Sequence, residues 1–166
     1  MTRDAIGTDK QLVAPVGPFS LGVRGAGLLF LSGHVAQDPD SGRLIDGDVA
    51  QQTHQILRNI ATALDTVGKS LEDVVRVGVY LTDISDFAVM SEAYSEHFNE
   101  PYPARTAIGV AALPLGAAVE MDVVVGWASR SGGRHANAPG RDLGHTARDA
   151  NRHCAPLGRS DLTDDA

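Results

Sequence analysis

Cysteine is all but missing from this chain. One residue, Cys154, in 166 excludes an intrachain disulfide and any metal site built from several thiolates. Basic charge is also in deficit, 14 Lys and Arg against 21 Asp and Glu, for a formal net charge of −7. Nucleic acid and anionic membrane both reward a basic surface, so neither is the expected main partner. No apolar run reaches the length of a transmembrane helix, and the opening "MTRDAIGTDK" lacks the apolar stretch of a secretory signal. The expected compartment is the cytoplasm. Several site motifs are lacking too. The glycines of "RGAG" have no helix behind them to cradle phosphate. Asp38, Asp40, Asp46 and Asp48 lack the ligand order and terminal glutamate of an EF-hand. No motif ties a serine or cysteine to a histidine and an acid, and there is no solenoid repeat.

What is present is one core and two tails. The length suits a single domain, and 43% hydrophobic with 21% charged residues is ordinary for a globular chain. Residues 1–13 read as a flexible arm. Residues 129–166 are dense in Gly, Arg, Asp, Asn and Pro without apolar periodicity, so they read as a disordered extension. Its histidines His135, His145 and His153 are too irregularly spaced for a metal site. Between the tails, "FSLGVRG" and "LLFLSG" read as a hairpin turned by Gly25 and Gly27. Ile56, Ile60, Leu64 and Val67 recur at helical spacing until Gly68 stops the run. "DVVRVGVYL" alternates, which predicts a strand with Val75, Val77, Val79 and Leu81 on one face. A second helix, capped by Ser85 or Asp86, carries Phe87, Met90, Tyr94 and Phe98 on one stripe, expected to be core. "PARTAIGVAALPLGAAVEMDVVV" reads as two strands around a Pro-Gly turn. The order is β-β-α-β-α-β-β, an α+β fold with two helices on one face of a mixed four- to five-stranded sheet. The strands are apolar on much of both faces, and two helices cover only one. The other face is expected to pack in a ring of identical subunits.

The last two strands carry a puzzle. Arg105 opens one and Glu120 the other, both in an apolar setting. Charges at strand ends are commonly exposed rim residues. They are also what a reaction on a small carboxylic acid requires, if they converge.

"PVGPFSLGV", "LFLSGHV", the long run from "DVAQQTHQILRNI" to "SEAYSEHF", and "PARTAIGVAALPLGAAVEMDVVV" resemble the successive motifs of the RidA (YjgF/YER057c/UK114) family. The resemblance spans residues 14–127. It implies a chorismate-mutase-like fold, a homotrimer with pockets at the subunit interfaces, and hydrolysis of reactive enamines and imines such as 2-aminoacrylate and 2-iminobutanoate. On that reading Arg105 clamps the substrate carboxylate with its planar fork. Glu120 positions or activates water, its pKa raised by desolvation and lowered by the arginine. Ser32 fixes the substrate amine or the water. The two charged groups are expected to meet across a cleft shared by neighbouring protomers. No metal or organic cofactor is implied, because the imine is already electrophilic.

Four positions depart from the deaminating members. Phe19 stands where the family has a tyrosine, Ser91 where asparagine is common, His34 where glutamine is common, and Ala107 where cysteine is common. All four belong to the expected substrate-binding set. An imidazole titrates near neutrality in general, so His34 is read as either a proton shuttle or a hydrogen-bonded loop residue. The departures keep the carboxylate clamp and change the lining. Two other readings stay open: a trimer that binds a small carboxylate without turning it over, and a pathway-specific enzyme for a larger unsaturated amine.

Overall fold

The computed structural model describes residues 4–6 and 17–127. The expected flexible arm, apart from residues 4–6, and the expected disordered extension lie outside the described residues. So do Cys154 and the three late histidines.

Among the described residues, six strands form one mixed sheet, in the spatial order β1 (Asp4–Ala5), β2 (Gly22–Gly25), β3 (Leu28–His34), β6 (Val119–Gly126), β4 (Val74–Leu81) and β5 (Ala104–Gly109). Strand β1 (Asp4–Ala5) pairs antiparallel with β2 (Gly22–Gly25), and β2 with β3 (Leu28–His34). The β2–β3 turn is Ala26-Gly27, with φ of 51° and 74°. Two positive φ values make the tight turn whose twist suits a hairpin, so Gly25 closes a strand instead of supplying the turn. Helix α1 (Val49–Asp65) opens with a capping box in which Asp48 accepts from Gln51 N and the Gln51 side chain accepts from Asp48 N. It ends ahead of Gly68, whose φ of 69° is the left-handed stop expected there.

Strand β4 (Val74–Leu81) runs through the 3-10 turn Ile84–Asp86 into helix α2 (Phe87–Ser95). Asp83 holds that turn by accepting from Ser85 N and Oγ, while Asp86 makes no side-chain cap. Strand β5 (Ala104–Gly109) then returns parallel to β4, and β6 (Val119–Gly126) pairs antiparallel with both β3 and β4. The last two strands are therefore not a hairpin, because β4 lies between them. A Leu-Pro-Leu-Gly turn is a local signal. Partner choice follows from burial, and β6, buried at every second residue, takes the sheet centre while β5 takes the edge.

One core unites the helices with one face of the sheet. It contains Ile56, Leu57, Ile60 and Leu64 from α1, Met90 and Tyr94 from α2 with Phe98 beyond it, and Val77, Val79, Leu81, Val119, Met121, Val123 and Val125 from the strands. Two expectations about this core are corrected. The pairing of β4 with β6 skips between Val74 and Arg76, so Val74 takes the core position and Val75 is 49% exposed. Phe87 is 44% exposed, because it lies over a guanidinium instead of in the core. Among the described residues, no helix covers the opposite sheet face. Phe30, Ser32, Tyr80, Glu120, Asp122 and Val124 stand on it by strand alternation.

Candidate active site

Arg105 is the second residue of β5 and pairs with Val77, which is buried under the helices. Its side chain therefore rises on the helix side. There α2 presents Phe87, Ser91 and Tyr94, four and three residues apart and so on one helical face. The guanidinium carbon lies 5.3 Å from the Phe87 ring centre and 4.7 Å from that of Tyr94, and Nη2 donates to Ser91 Oγ at 3.0 Å. Two aromatic faces and one hydroxyl fix the fork without neutralising it. The charge remains available to an anion. Beside it is a cavity of about 320 Å³ lined by Ser91, Tyr94, Ser95, Tyr102, Pro103 and Arg105. Burial pushes the Tyr94 phenol up to about 12, against a smaller opposing effect of Arg105, so it stays protonated. Its hydroxyl is buried with no hydrogen-bond partner among the described residues.

Glu120 stands on the other side of the sheet. Its neighbours Val119 and Met121 are buried beneath the helices, and it pairs with Tyr80 on the uncovered face. Burial raises its pKa above the ordinary glutamate value, and the nearby Asp122 charge adds to the rise. The expected downward pull of Arg105 is missing within one protomer, since the arginine lies on the opposite face. Asp122 accepts from the Tyr80 hydroxyl at 2.7 Å and pairs with Arg76 at 3.6 Å.

Ser32 and Gly33 share Glu120's side. Ser32 Oγ donates to Ser20 O at 2.7 Å, and a Cβ on Gly33 would overlap the Glu120 carboxylate. Phe19 precedes Ser20 in a bend and is 52% exposed. His34 Nδ1 is 2.7 Å from Ser32 O. Burial lowers the pKa of its imidazole, with the Ser32 hydrogen bond opposing. Ala107 pairs with Val79 and packs against the core.

The expected site residues thus fall into two groups. Arg105 and Ser91 meet on the helix side. Glu120, Ser32, His34 and Phe19 belong to the β3–β6 region, and Ala107 is packed against the core beside neither group's charge. A single protomer does not bring the arginine and the glutamate together. Sequence reasoning missed Phe87 and Tyr94 as the arginine's cradle. The Phe-x-x-x-Ser-x-x-Tyr spacing carried the signal, but a helical aromatic stripe reads as core. Among the described residues, no cluster of three or more His, Cys, Asp and Glu side chains could hold a metal, and no helix is long and apolar enough to cross a membrane.

A mixed sheet with helices on one face, an arginine held against one of them and a carboxylate on the other face define the class as α+β. Comparison with known proteins makes the class specific. The family model described as Endoribonuclease L-PSP matches residues 9–126. A RutC family protein of Pyrococcus abyssi is 40% identical over 124 residues, covering 75% of this chain and 97% of that one. The human 2-iminobutanoate/2-iminopropanoate deaminase is 38% identical over 124 residues, covering 75% and 90%. The crystal structure of RidA from an Antarctic Psychrobacter superposes with a TM-score of 0.68 at 39% identity, covering 72% and 96%. The chain belongs to the RidA family, whose domain that model describes.

Proposed function

We propose that this protein is a cytoplasmic hydrolytic deaminase of 2-enamino and 2-imino acids, with its active site assembled between protomers of a homotrimer. The observation that carries the reading is the split. A cation with a free charge sits on one sheet face and a half-buried carboxylate of raised pKa on the other, which supports reading each as half of a shared site. The deaminase name of the human relative supplies the reaction. The acidic balance favours a small molecule over RNA.

The chemistry follows from the residues. Arg105 takes the substrate carboxylate in a bidentate pair, and the Phe87–Tyr94 cradle keeps the fork oriented. Glu120 of the adjoining protomer accepts a proton as water attacks the iminium carbon, which forms the C–O bond of a carbinolamine. The protonated Glu120 then delivers that proton to nitrogen. Collapse breaks the C–N bond, and the hydroxyl proton returns through Glu120 to the departing ammonia. The products are a 2-keto acid and ammonium, and the enzyme is regenerated. An enamine enters the same path once a proton from solvent adds to its terminal carbon and makes it the iminium.

The experiment is subunit mixing. Arg105→Ala and Glu120→Gln are each expected to leave freshly generated 2-iminobutanoate decaying at the buffer rate. Unfolded and refolded together in equal amounts, they restore sites at interfaces where the intact arginine meets the intact glutamate, about a quarter of the wild-type number. Wild type at the buffer rate sinks the activity, and no recovery on mixing sinks the shared site.

A second reading has one feature in its favour. Phe19, Ser91, His34 and Ala107 alter the polar lining, which suits a carboxylate-binding trimer without turnover or an enzyme for a larger unsaturated amine. Thermal stabilisation by 2-keto acids in a protein that leaves imines intact would favour the binder.

A further inference from the structure

Strand β3 does not pair evenly with β6. Leu31 stands opposite Val123, but His34 stands opposite Met121, so Ser32 and Gly33 together face the single residue Asp122. Such a bulge bends its strand and takes backbone groups out of the ladder. This one lies directly against the proposed base, since any side chain on Gly33 would collide with the Glu120 carboxylate.

Ser32 is tied down at three atoms. Its N–H donates to Leu21 O at 2.9 Å and its hydroxyl donates to Ser20 O at 2.7 Å. The third tie comes from His34, whose Nδ1 is 2.7 Å from Ser32 O. A carbonyl oxygen only accepts, so Nδ1 carries the proton and the neutral ring keeps its lone pair on Nε2. The register also fixes where the imidazole belongs. His34 is level with Met121, in the row facing the helices, whereas Glu120 is on the uncovered face. The ring reaches the reactive side only through the backbone it holds.

We propose that His34 is a positioning residue for Glu120: its Nδ1–H pins the Ser32 carbonyl, and thereby sets the Gly33 backbone against the carboxylate. The proposal rests on the deaminase reading for its kinetic consequence and on the bulge for its geometry. It assigns the imidazole no proton transfer to substrate. A reacting group displaced by about 1 Å loses up to about 10²-fold in rate, which is the scale on which a loosened bulge acts.

Two variants separate positioning from chemistry. His34→Leu keeps the bulk and removes the donor. It is expected to lower kcat about tenfold or more while KM stays within about twofold, because in the proposed site the Arg105 clamp comes from the adjoining protomer and is held by its own Phe87–Ser91–Tyr94 face, not by this bulge. His34→Gln offers an amide N–H to the same carbonyl. It is expected to keep at least about a third of the wild-type kcat, with a pH profile superimposable on the wild type. Circular dichroism and melting temperature check that both variants fold. His34→Leu with wild-type kcat overturns the proposal. So does His34→Gln as slow as His34→Leu, or an effect confined to KM, since these make the imidazole a reacting or substrate-binding group.

A readout independent of turnover separates failure of this proposal from failure of the deaminase reading. Wild type inert toward imino acids refutes the reading alone. Long-range ¹H–¹⁵N spectra of the wild type are then decisive for the positioning claim, with His34 expected neutral and protonated at Nδ1 and the Gly33 amide expected to move in His34→Leu. A ring protonated at Nε2 alone, or a Gly33 amide that stays put, overturns it.

Discussion

At the scale of residues, burial and one like charge decide how Glu120 behaves. Its pKa rises above the ordinary 4.5 through burial first and Asp122 second. A carboxyl with a raised folded-state pKa binds its proton more tightly folded than unfolded. The resulting stability penalty is absent below about pH 4.5, grows as pH rises through the folded pKa, and is complete above it. Glu120→Gln should therefore melt higher than wild type at pH 7 to 8, with the difference vanishing in acid. Equal melting temperatures at pH 8 would contradict this. Asp122→Asn removes the second cause, so the acid limb of the kcat/KM profile should move to lower pH. Ser91 acts on the other charged group. Ser91→Ala frees one Arg105 N–H from its 3.0 Å bond and leaves the aromatic cradle in place. KM for the imino acid should rise about two- to tenfold, the worth of one hydrogen bond, with kcat nearly unchanged.

At the scale of elements, helix α1 holds the strand that carries Glu120. Gln52 is 5% exposed inside the helix, yet both ends of its amide are used. Oε1 accepts from Ala118 N at 2.9 Å, just ahead of β6, and Nε2 donates to Gly47 O at 3.2 Å. Replacement by leucine preserves the volume and takes the partner from two backbone groups, one on half-buried Ala118 and one on exposed Gly47. Gln52→Leu should lose about 1 kcal/mol in urea denaturation, the net worth of a typical hydrogen bond. A loss under half a kilocalorie would mean that the groups find water instead. Helix α2 has the parallel duty for Arg105, since its Phe87–Ser91–Tyr94 face is the guanidinium's cradle.

At the scale of the whole molecule, the uncovered sheet face matters most. Phe30 is 46% exposed on it and paired with Val23 and Val124. An apolar strip of this kind on a central strand fits burial against further copies of the chain. Phe30→Glu places a charge in that strip. The variant should keep its helical circular dichroism, sediment as a monomer, and lose imine hydrolysis, because a lone protomer holds only half of each proposed site. An unchanged sedimentation coefficient would show that this strip is not where copies meet.

Much of this was legible locally. Apolar period and a left-handed Gly68 determined α1, and alternation determined β4 and β6 as strands, because side-chain direction repeats with the backbone wherever one face is buried. The family motifs singled out Arg105 and Glu120 as residue types suited to a small carboxylate. Pairing and sidedness were another matter. That β4 separates β5 from β6, that a bulge turns Val75 outward, that Phe87 leaves the core for a guanidinium, and that Arg105 and Glu120 stand on opposite faces all depend on contacts distant in sequence. Each was decided by which surfaces the folded chain buries together, a competition that local periodicity does not encode.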